Sequence, residues 1–345
     1  MAVTIKDVSA KCGLSISTVS KAFNNYADIS LETRELVQRT AREIGYYPNA
    51  TARTLKTNRS YNLGVLFQEK RGTGLTHSFF ASVLDAFKSA GEKRGYDITF
   101  INHHIGWAGM TYLEHCRYRN VDGVCVVCAD FYAPEVIELV DSNLPVVTID
   151  HSFNNRSCVL SDNIGGLKLL VDAACQKGHR KIAYVHGEKS SVTENRIIGF
   201  YRAMQEHGLN VNPDFVVEAL YDNPATSMQA VLNLMDRPDP PTCILLPDDH
   251  STLGALQAAK QLNLRVPEDL SLAGYDGIRL TQMLQPRLTT IEQDTKRIGA
   301  QAAEFLIDRI ENPRTAGSET ATIPVKLLEG ESMGICPVKA DAANS

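Results

Sequence analysis

No apolar run in this 345-residue sequence approaches the roughly 18 residues that a membrane-spanning helix needs, so no membrane partner is expected. Residues Met1 to Asp7 lack a basic segment followed by an apolar one. No secretory signal is read there, and the cytoplasm is the expected compartment. Eight cysteines scattered from Cys12 to Cys336 do not make a disulfide framework, which suits a reducing compartment. The one CxxC, Cys125-Val126-Val127-Cys128, lies in an apolar stretch that reads as a buried strand. Residues three apart on a strand point to opposite faces, so it is not read as a metal or redox pair. There is no Gly-x-Ser-x-Gly, no Walker loop and no metal-ligand spacing, and Gly72-Thr73-Gly74 lacks the third glycine of a dinucleotide motif. No catalytic residue, metal or cofactor is therefore expected. The segment Val338 to Ser345 has no leucine heptad, so a tetramerising coiled coil is not expected.

What is present is an ordinary globular composition, 43% hydrophobic and 22% charged, spread over more residues than one core usually serves. More than one domain is expected. Charge divides unevenly. Residues 1 to 60 hold nine Lys/Arg against five Asp/Glu, leaving +4, so with a whole-chain charge of -5 the remainder carries -9. A small basic head on an acidic body fits a nucleic-acid reader joined to a regulatory domain.

In the head, Thr4 precedes a helical stretch with Ile5 and Val8 on one side, and Gly13 ends it. Ser15 caps a second helix whose Val19 and Phe23, four apart, face the first. Two short helices joined by a Gly-containing turn make a helix-turn-helix, a geometry that proteins without DNA also use. A third helix begins at Ser30, packs through Leu36, Val37, Ala41 and Ile44, and stops at Gly45 before Pro48.

The wording of this segment closely resembles the LacI/GalR repressor family: Thr4-Ile5-Lys6-Asp7-Val8, Gly13-Leu14-Ser15, Thr18-Val19-Ser20, Asn24, Thr33-Arg34 and Gly45-Tyr46-x-Pro48-Asn49. Ser9 and Cys12 stand where that family usually has alanine, and Lys21 where it often has arginine. Arginine bridges guanine with two parallel bonds and lysine supplies one mobile charge, so base choice or affinity at that position is expected to differ. By this resemblance Ile16, Ser17 and Lys21 read bases, Thr18 and Ser20 hold phosphates, and Thr4 and Asn24 also belong to the DNA-binding set. The next segment, Asn49 to Lys56, is too short to be a stable helix alone and resembles the family's hinge helix. There Asn49, Ala52, Leu55 and Lys56 join the DNA contacts, with Leu55 as a minor-groove wedge.

From Asn62 onward, short apolar runs alternate with helical stretches: Leu63 to Phe67, Phe79 to Arg94, Ile98 to Ile101, Val121 to Val127, Val146 to Asp150, Ile182 to Val185, Val216 to Leu220, Ile244 to Leu246 and Leu270 to Ala273. Repeated βα units imply parallel sheets covered by helices, and their length predicts two doubly wound halves around a cleft. Asp162-Asn163, Gly178 to Ile182, Arg196 to Phe200, Gly274-Tyr275-Asp276 and Leu288 to Ile291 resemble the family's effector-binding half, itself similar to periplasmic sugar-binding proteins. The expected organisation is an all-α helix-turn-helix domain over 1–48 and a hinge helix over 49–60. An α/β two-lobed, periplasmic-binding-protein-like effector and dimerisation domain follows over 61–337, then a disordered tail over 338–345. Leu288 to Asp294 is read as a crossover between the lobes.

In the cleft, Asp162, Asp248 and Asp276 can accept sugar hydroxyls and Arg196 can donate to ring oxygens. Tyr221 matches a stacking aromatic of the family. Phe79 is open between ligand contact and core, and Phe80 reads as core. Asp248 stands where asparagine is frequent, and Ser78 where proline is common. Asp248-Asp249-His250 has the residues for acid and base work, but acids at a helix start are also favoured by capping. His103, His104 and Trp107 are read as surface or core. The expected function is a repressor that binds a near-palindromic operator as a homodimer and answers a small molecule, an uncharged polyol such as a sugar. Two variants stay open: control by a protein co-repressor, and a sugar-binding protein or sugar-metabolising enzyme with an unrelated basic segment.

Overall fold

The structure is a computed structural model that describes residues 3–24, 26–47, 59–68, 74–105 and 108–337. The chain divides into two compact units, residues 1–62 and 63–345. The expected hinge positions Asn49, Ala52, Leu55 and Lys56, Trp107, Gly72, Thr73 and the segment 338–345 lie outside the described residues.

The first unit contains three helices, α1 (Ile5–Cys12), α2 (Ile16–Phe23) and α3 (Leu31–Ile44). Each begins where a short hydroxyl side chain meets the first turn. Ser15 accepts from the Thr18 amide at 3.1 Å and Ser30 from the Thr33 amide at 3.2 Å, and such a cap stabilises a helix by about 1 kcal/mol. Two helices end on glycines in the left-handed region, Gly13 at φ 68° and Gly45 at φ 71°, where a side chain would be strained. Val8, Val19, Ala22, Val37 and Ala41 form the buried core, rimmed by Ile5, Leu14, Phe23, Ile29 and Tyr46. Two details depart from expectation. Leu36 is only half-buried, and Thr40 takes the inward position on α3. Ser9, in a family position of alanine, donates its hydroxyl to the Leu14 carbonyl at 2.5 Å and so closes the turn between α1 and α2.

The second unit follows the order β1 (Asn62–Phe67), α4 (Ser78–Lys93), β2 (Asp97–Ile101), β3 (His104–Ile105), β4 (Ala108–Gly109), α5 (Tyr112–Tyr118), β5 (Gly123–Cys128), α6 (Pro134–Asp141), β6 (Val146–Ile149) and β7 (Ser157–Ser161). It continues through α7 (Asn163–Gln176), β8 (Ile182–His186), α8 (Ser191–Glu206), β9 (Val216–Glu218), α9 (Pro224–Met235), β10 (Cys243–Leu245), α10 (Asp249–Gln261) and β11 (Ser271–Ala273). The last elements are β12 (Thr290–Gln293), α11 (Thr295–Glu311), β13 (Thr320–Ile323) and β14 (Val325–Leu328).

Two sheets result. One has the order β13-β7-β6-β5-β1-β2 and the other β11-β10-β8-β9. All three pairings of the second sheet are parallel, as are β1 with β5, β5 with β6, β6 with β7 and β7 with β13. Central strands such as Gly123–Cys128 are buried along almost their whole length, as parallel strands covered on both faces must be. Each sheet has its own core, around Leu66, Val124, Val126 and Leu139 in the first lobe and around Ala183, Val185, Ile244 and Leu272 in the second. Cys125 is fully buried within β5, and burial pushes its thiol pKa up.

Three passages of chain join the lobes. Asp162 leads from β7 into α7, Asp294 leads from β12 into α11, and Pro324 separates β13 from β14. β12 pairs antiparallel with β14 beside the second lobe, while α11 packs along α4 in the first. The chain therefore returns to the first lobe directly after the predicted crossover Leu288 to Asp294.

Candidate functional site

A cavity of about 340 Å³ opens between the two lobes, at the low end of the roughly 300–1,000 Å³ typical of small-molecule sites. Its walls come from the ends of β5 and β6 in the first lobe, and from the start of α8 and the loops after β9, β10 and β11 in the second. Strand ends in parallel sheets leave loops and helix N-termini free to meet a ligand.

Arg196, only 4% exposed, is its main fixed donor. Nε donates to Asn163 Oδ1 at 2.8 Å and Nη1 to the Pro247 carbonyl at 2.7 Å. The guanidinium carbon lies 3.5 Å from the centre of the Tyr275 ring, a cation–π contact that fixes its plane. Nη2 stands 4.0 Å from Asp276 Oδ1. Asp276 Oδ1 also accepts from Gln293 Nε2 at 2.7 Å. Asp276 holds φ 108°, a conformation costly for any residue but glycine and concentrated at ligand sites. Burial pushes its carboxyl pKa well up, with Arg196 pulling the other way. Gln293 Oε1 is buried and has no hydrogen-bond partner among the described residues.

Tyr221 lines the cavity with its hydroxyl 2.8 Å from Thr193 Oγ1. Its ring lies against Gly187, where an added Cβ would come within 2.1 Å of the ring carbons. Phe79 and Phe80 both line the cavity. Phe80, expected in the core, is half-buried, with Phe67 at 5.3 Å and Phe79 at 5.2 Å, because it sits at the open end of α4.

One expected contact is corrected, and a second carries a further role. Asp162 is not among the cavity-lining residues; it caps α7, accepting from the Gly165 amide at 2.8 Å. Asp248 does line the cavity, but its carboxylate accepts from the Ser251 amide at 2.7 Å, the Ser251 hydroxyl at 2.9 Å and the Asp222 amide at 2.7 Å. Both acids stand at helix starts, where a carboxylate satisfies otherwise unpaired amides.

Other lining residues were not anticipated. Asp150, at φ 58°, accepts from the Ser161 amide at 2.9 Å, and burial raises its pKa. His151 stacks on Phe131 with ring centres 4.5 Å apart and reaches across to the Ser191 hydroxyl on α8 at 2.7 Å. Burial lowers its pKa. Only one signal marked these positions, the end of the apolar run Val146 to Asp150. His103 stacks on Tyr112 at 3.9 Å and pairs with Glu135 at 2.8 Å, outside the cavity. Among the described residues there is no cluster of three or more His, Cys, Asp or Glu that could hold a metal ion.

In the first unit α2 presents a polar outer side. Ile16 is 44% exposed, Ser17 is exposed, and Thr18, Ser20 and Lys21 are half-buried. Thr18 Oγ1 lies 2.9 Å from the capping Ser15 hydroxyl. Asn24 donates to the Ser20 carbonyl at 2.7 Å. Thr4 donates its amide and hydroxyl to Asp7, each at 2.8 Å. Lys21 Nζ is paired with Asp28 Oδ2.

A helix-turn-helix unit joined to two parallel α/β lobes around a cavity with a few fixed polar groups defines a regulator that couples a small molecule to DNA. Residues 4–49 match the bacterial regulatory proteins of the lacI family, and residues 171–333 match the periplasmic binding protein-like domain. The chain is 32% identical over 313 residues to the HTH-type transcriptional repressor PurR of Pasteurella multocida, spanning 89% of this chain and 92% of that one. It is 33% identical over 314 residues to the ribose operon repressor of Haemophilus influenzae, spanning 90% and 92%. The fold matches the lac repressor dimer bound to operator with a TM-score of 0.77 at 24% identity, over 97% of this chain and 100% of that one. It matches the CelR–cellobiose complex with a TM-score of 0.69 at 26% identity, over 96% and 99%. The chain belongs to the LacI family and is a ligand-responsive transcriptional repressor.

Proposed function

We propose that the chain binds a near-palindromic operator as a homodimer, and that an uncharged, polyhydroxylated carbohydrate in the inter-lobe cavity changes its affinity for that DNA. The observation that carries the effector assignment is the Arg196–Asp276–Gln293 group. It sets a fixed cationic donor beside acceptors in a cavity walled by Phe79, Phe80 and Tyr221, the combination that holds a polyol's hydroxyls and covers its apolar face. Gln293 lies on β12, directly before the return to the first lobe, so a ligand held there touches a passage that joins the lobes. The relatives support the same class, one being a ribose operon repressor and one solved with cellobiose.

On this reading residues 1–48 read DNA, 49–60 form the hinge with Leu55 as its wedge, and 61–337 form the receptor and dimerisation domain. Ile16, Ser17 and Lys21 face bases, Thr18 and Ser20 hold phosphates, and Thr4, Asn24, Asn49, Ala52 and Lys56 complete the DNA contacts. The protein works in the cytoplasm without catalysis. The acids that could suggest an enzyme, Asp248 and Asp249, are engaged as a helix cap and an internal strut.

The test is a thermal-shift screen of neutral mono- and disaccharides, sugar acids and amino sugars on the full chain. A ligand that binds only the folded state raises its melting temperature with concentration. A neutral carbohydrate is expected to do so for the wild type and not for Arg196→Ala. Stabilisation by charged metabolites alone, or an undiminished shift in Arg196→Ala, would reject the assignment.

A further inference from the structure

Asp28, paired with the base-facing Lys21, has no role described so far, and the two partners differ in freedom. Lysine is a long, flexible chain, whereas Asp28 sits on a turn that is tied down on several sides. The Tyr26 amide donates to the Lys21 carbonyl at 3.2 Å, folding the turn back onto α2. The Tyr26 carbonyl accepts from the Ile29 amide at 3.2 Å and from Arg34 Nη2 at 3.2 Å. Ile29 packs against the core of the unit. The carboxylate is therefore the fixed member, and it decides where the ammonium stands.

We infer that Asp28 is a specificity-determining residue of operator recognition, acting by holding the Lys21 ammonium on the outer side of α2 and away from phosphates. This rests on the reading that Lys21 faces bases. A lysine ammonium is a mobile point charge that serves phosphates and bases alike, and phosphate contacts add affinity without sequence information. A carboxylate beside it restrains that mobility and repels the backbone. The pair is exposed, with 40% and 55% of the two side chains accessible, so it is weak enough to yield when a correct base offers acceptors. The hydrogen bond from Lys21 lowers the Asp28 pKa, and that to Asp28 raises the lysine pKa, so both groups are ionised at neutral pH.

The experiment uses the intact chain, a palindromic duplex enriched by the wild type from a random-sequence library, and a scrambled duplex of equal length. Affinities for both are measured at several salt concentrations for wild type, Asp28→Asn, Lys21→Ala and the double variant. In Asp28→Asn the freed ammonium takes a phosphate, so binding to the scrambled duplex tightens. Its slope against log salt steepens by about 0.9, the value of one added phosphate contact. The ratio of affinities falls about two- to fivefold, the equilibrium scale of an exposed ion pair. In the Lys21→Ala background Asp28→Asn leaves the ratio unchanged, because the carboxylate acts through the lysine. An unchanged ratio in Asp28→Asn, or an equal fall in both backgrounds, overturns the inference while leaving Lys21 as a base reader if Lys21→Ala lowers the ratio. If Lys21→Ala leaves the ratio intact, the base-reading assignment fails first.

Discussion

At the residue scale, carboxylates of one chemical type do three different jobs within a short distance of one another. Asp276 faces Arg196, Asp248 caps a helix, and Asp249 is a strut. The Asp249 carboxylate accepts from the Ile278 amide at 2.8 Å, the Thr281 hydroxyl at 2.9 Å and the Thr290 hydroxyl at 2.5 Å. Burial, partly offset by these three bonds, raises its pKa from 3.8 to about 7. The unfolded chain thus ionises it near pH 4 and the folded chain near pH 7, so between those values the folded state holds the extra proton. Its contribution to stability is fullest below about pH 4 and is lost as pH rises towards about 7. Asp249→Asn removes the titration, so the melting temperature of the wild type relative to this variant is expected to fall from pH 5 to pH 8. A pH-independent difference would show that Asp249 keeps its charge when folded. The same residues mark what could be read in advance. Tyr221 and Asp276 were legible as cleft residues because each follows a strand, Arg196 through the family resemblance of Arg196 to Phe200, and Phe79 was left open between ligand contact and core. Asp162, expected in the cleft, caps α7 instead, because an N-cap and a ligand contact look alike in sequence. His151 escaped because its role depends on Ser191 from the other lobe, and Gln293 because its partner Asp276 is set by long-range pairing beside β12.

At the element scale, the alternation of apolar runs and helical periods was enough to find eight of the ten strands that build the two large sheets. Six strands lie outside that reading, the short pair β3 and β4 and four that break the alternation, β7, β12, β13 and β14. β7 follows β6 with no helix between them, yet pairs with it in parallel. β12 and β14 pair with each other beside the second lobe, and β13 returns to the edge of the first sheet. Such pairings are decided by long-range burial, which local pattern does not carry. The contact between α11 and α4 shows how finely such burial is set. An added Cβ at Gly299 would come within 2.2 Å of the Val83 carbonyl and 2.8 Å of the Phe87 amide, so backbone rather than a flexible side chain is in the way. Gly299→Ala is expected to destabilise the folded chain by about 1–3 kcal/mol through overpacking, read as a lower denaturation midpoint. A variant as stable as the wild type would mean that the two helices slide apart without cost.

At the scale of the whole molecule, three passages of chain between the lobes, two of them closely spaced in sequence at Asp294 and Pro324, leave relative motion of the lobes as the cheapest response to a ligand. Arg196, Asp276 and Gln293 line the cavity where that motion would be sensed, and on the proposed reading residues 49–60 are a hinge that needs little free energy to tip. A coupling of about 1–3 kcal/mol, typical of allosteric proteins, corresponds to about a 5- to 150-fold change in affinity. The most direct measurement is a salt-matched titration of the enriched palindromic duplex with the full chain, with and without a carbohydrate that stabilises it. The wild type is expected to prefer that duplex over random DNA and to change its affinity within that range when the carbohydrate is added. Arg196→Ala is expected to keep the preference and lose the response. Equal binding to all duplexes, or an operator affinity indifferent to a ligand that demonstrably occupies the cavity, would contradict the coupling of head to receptor.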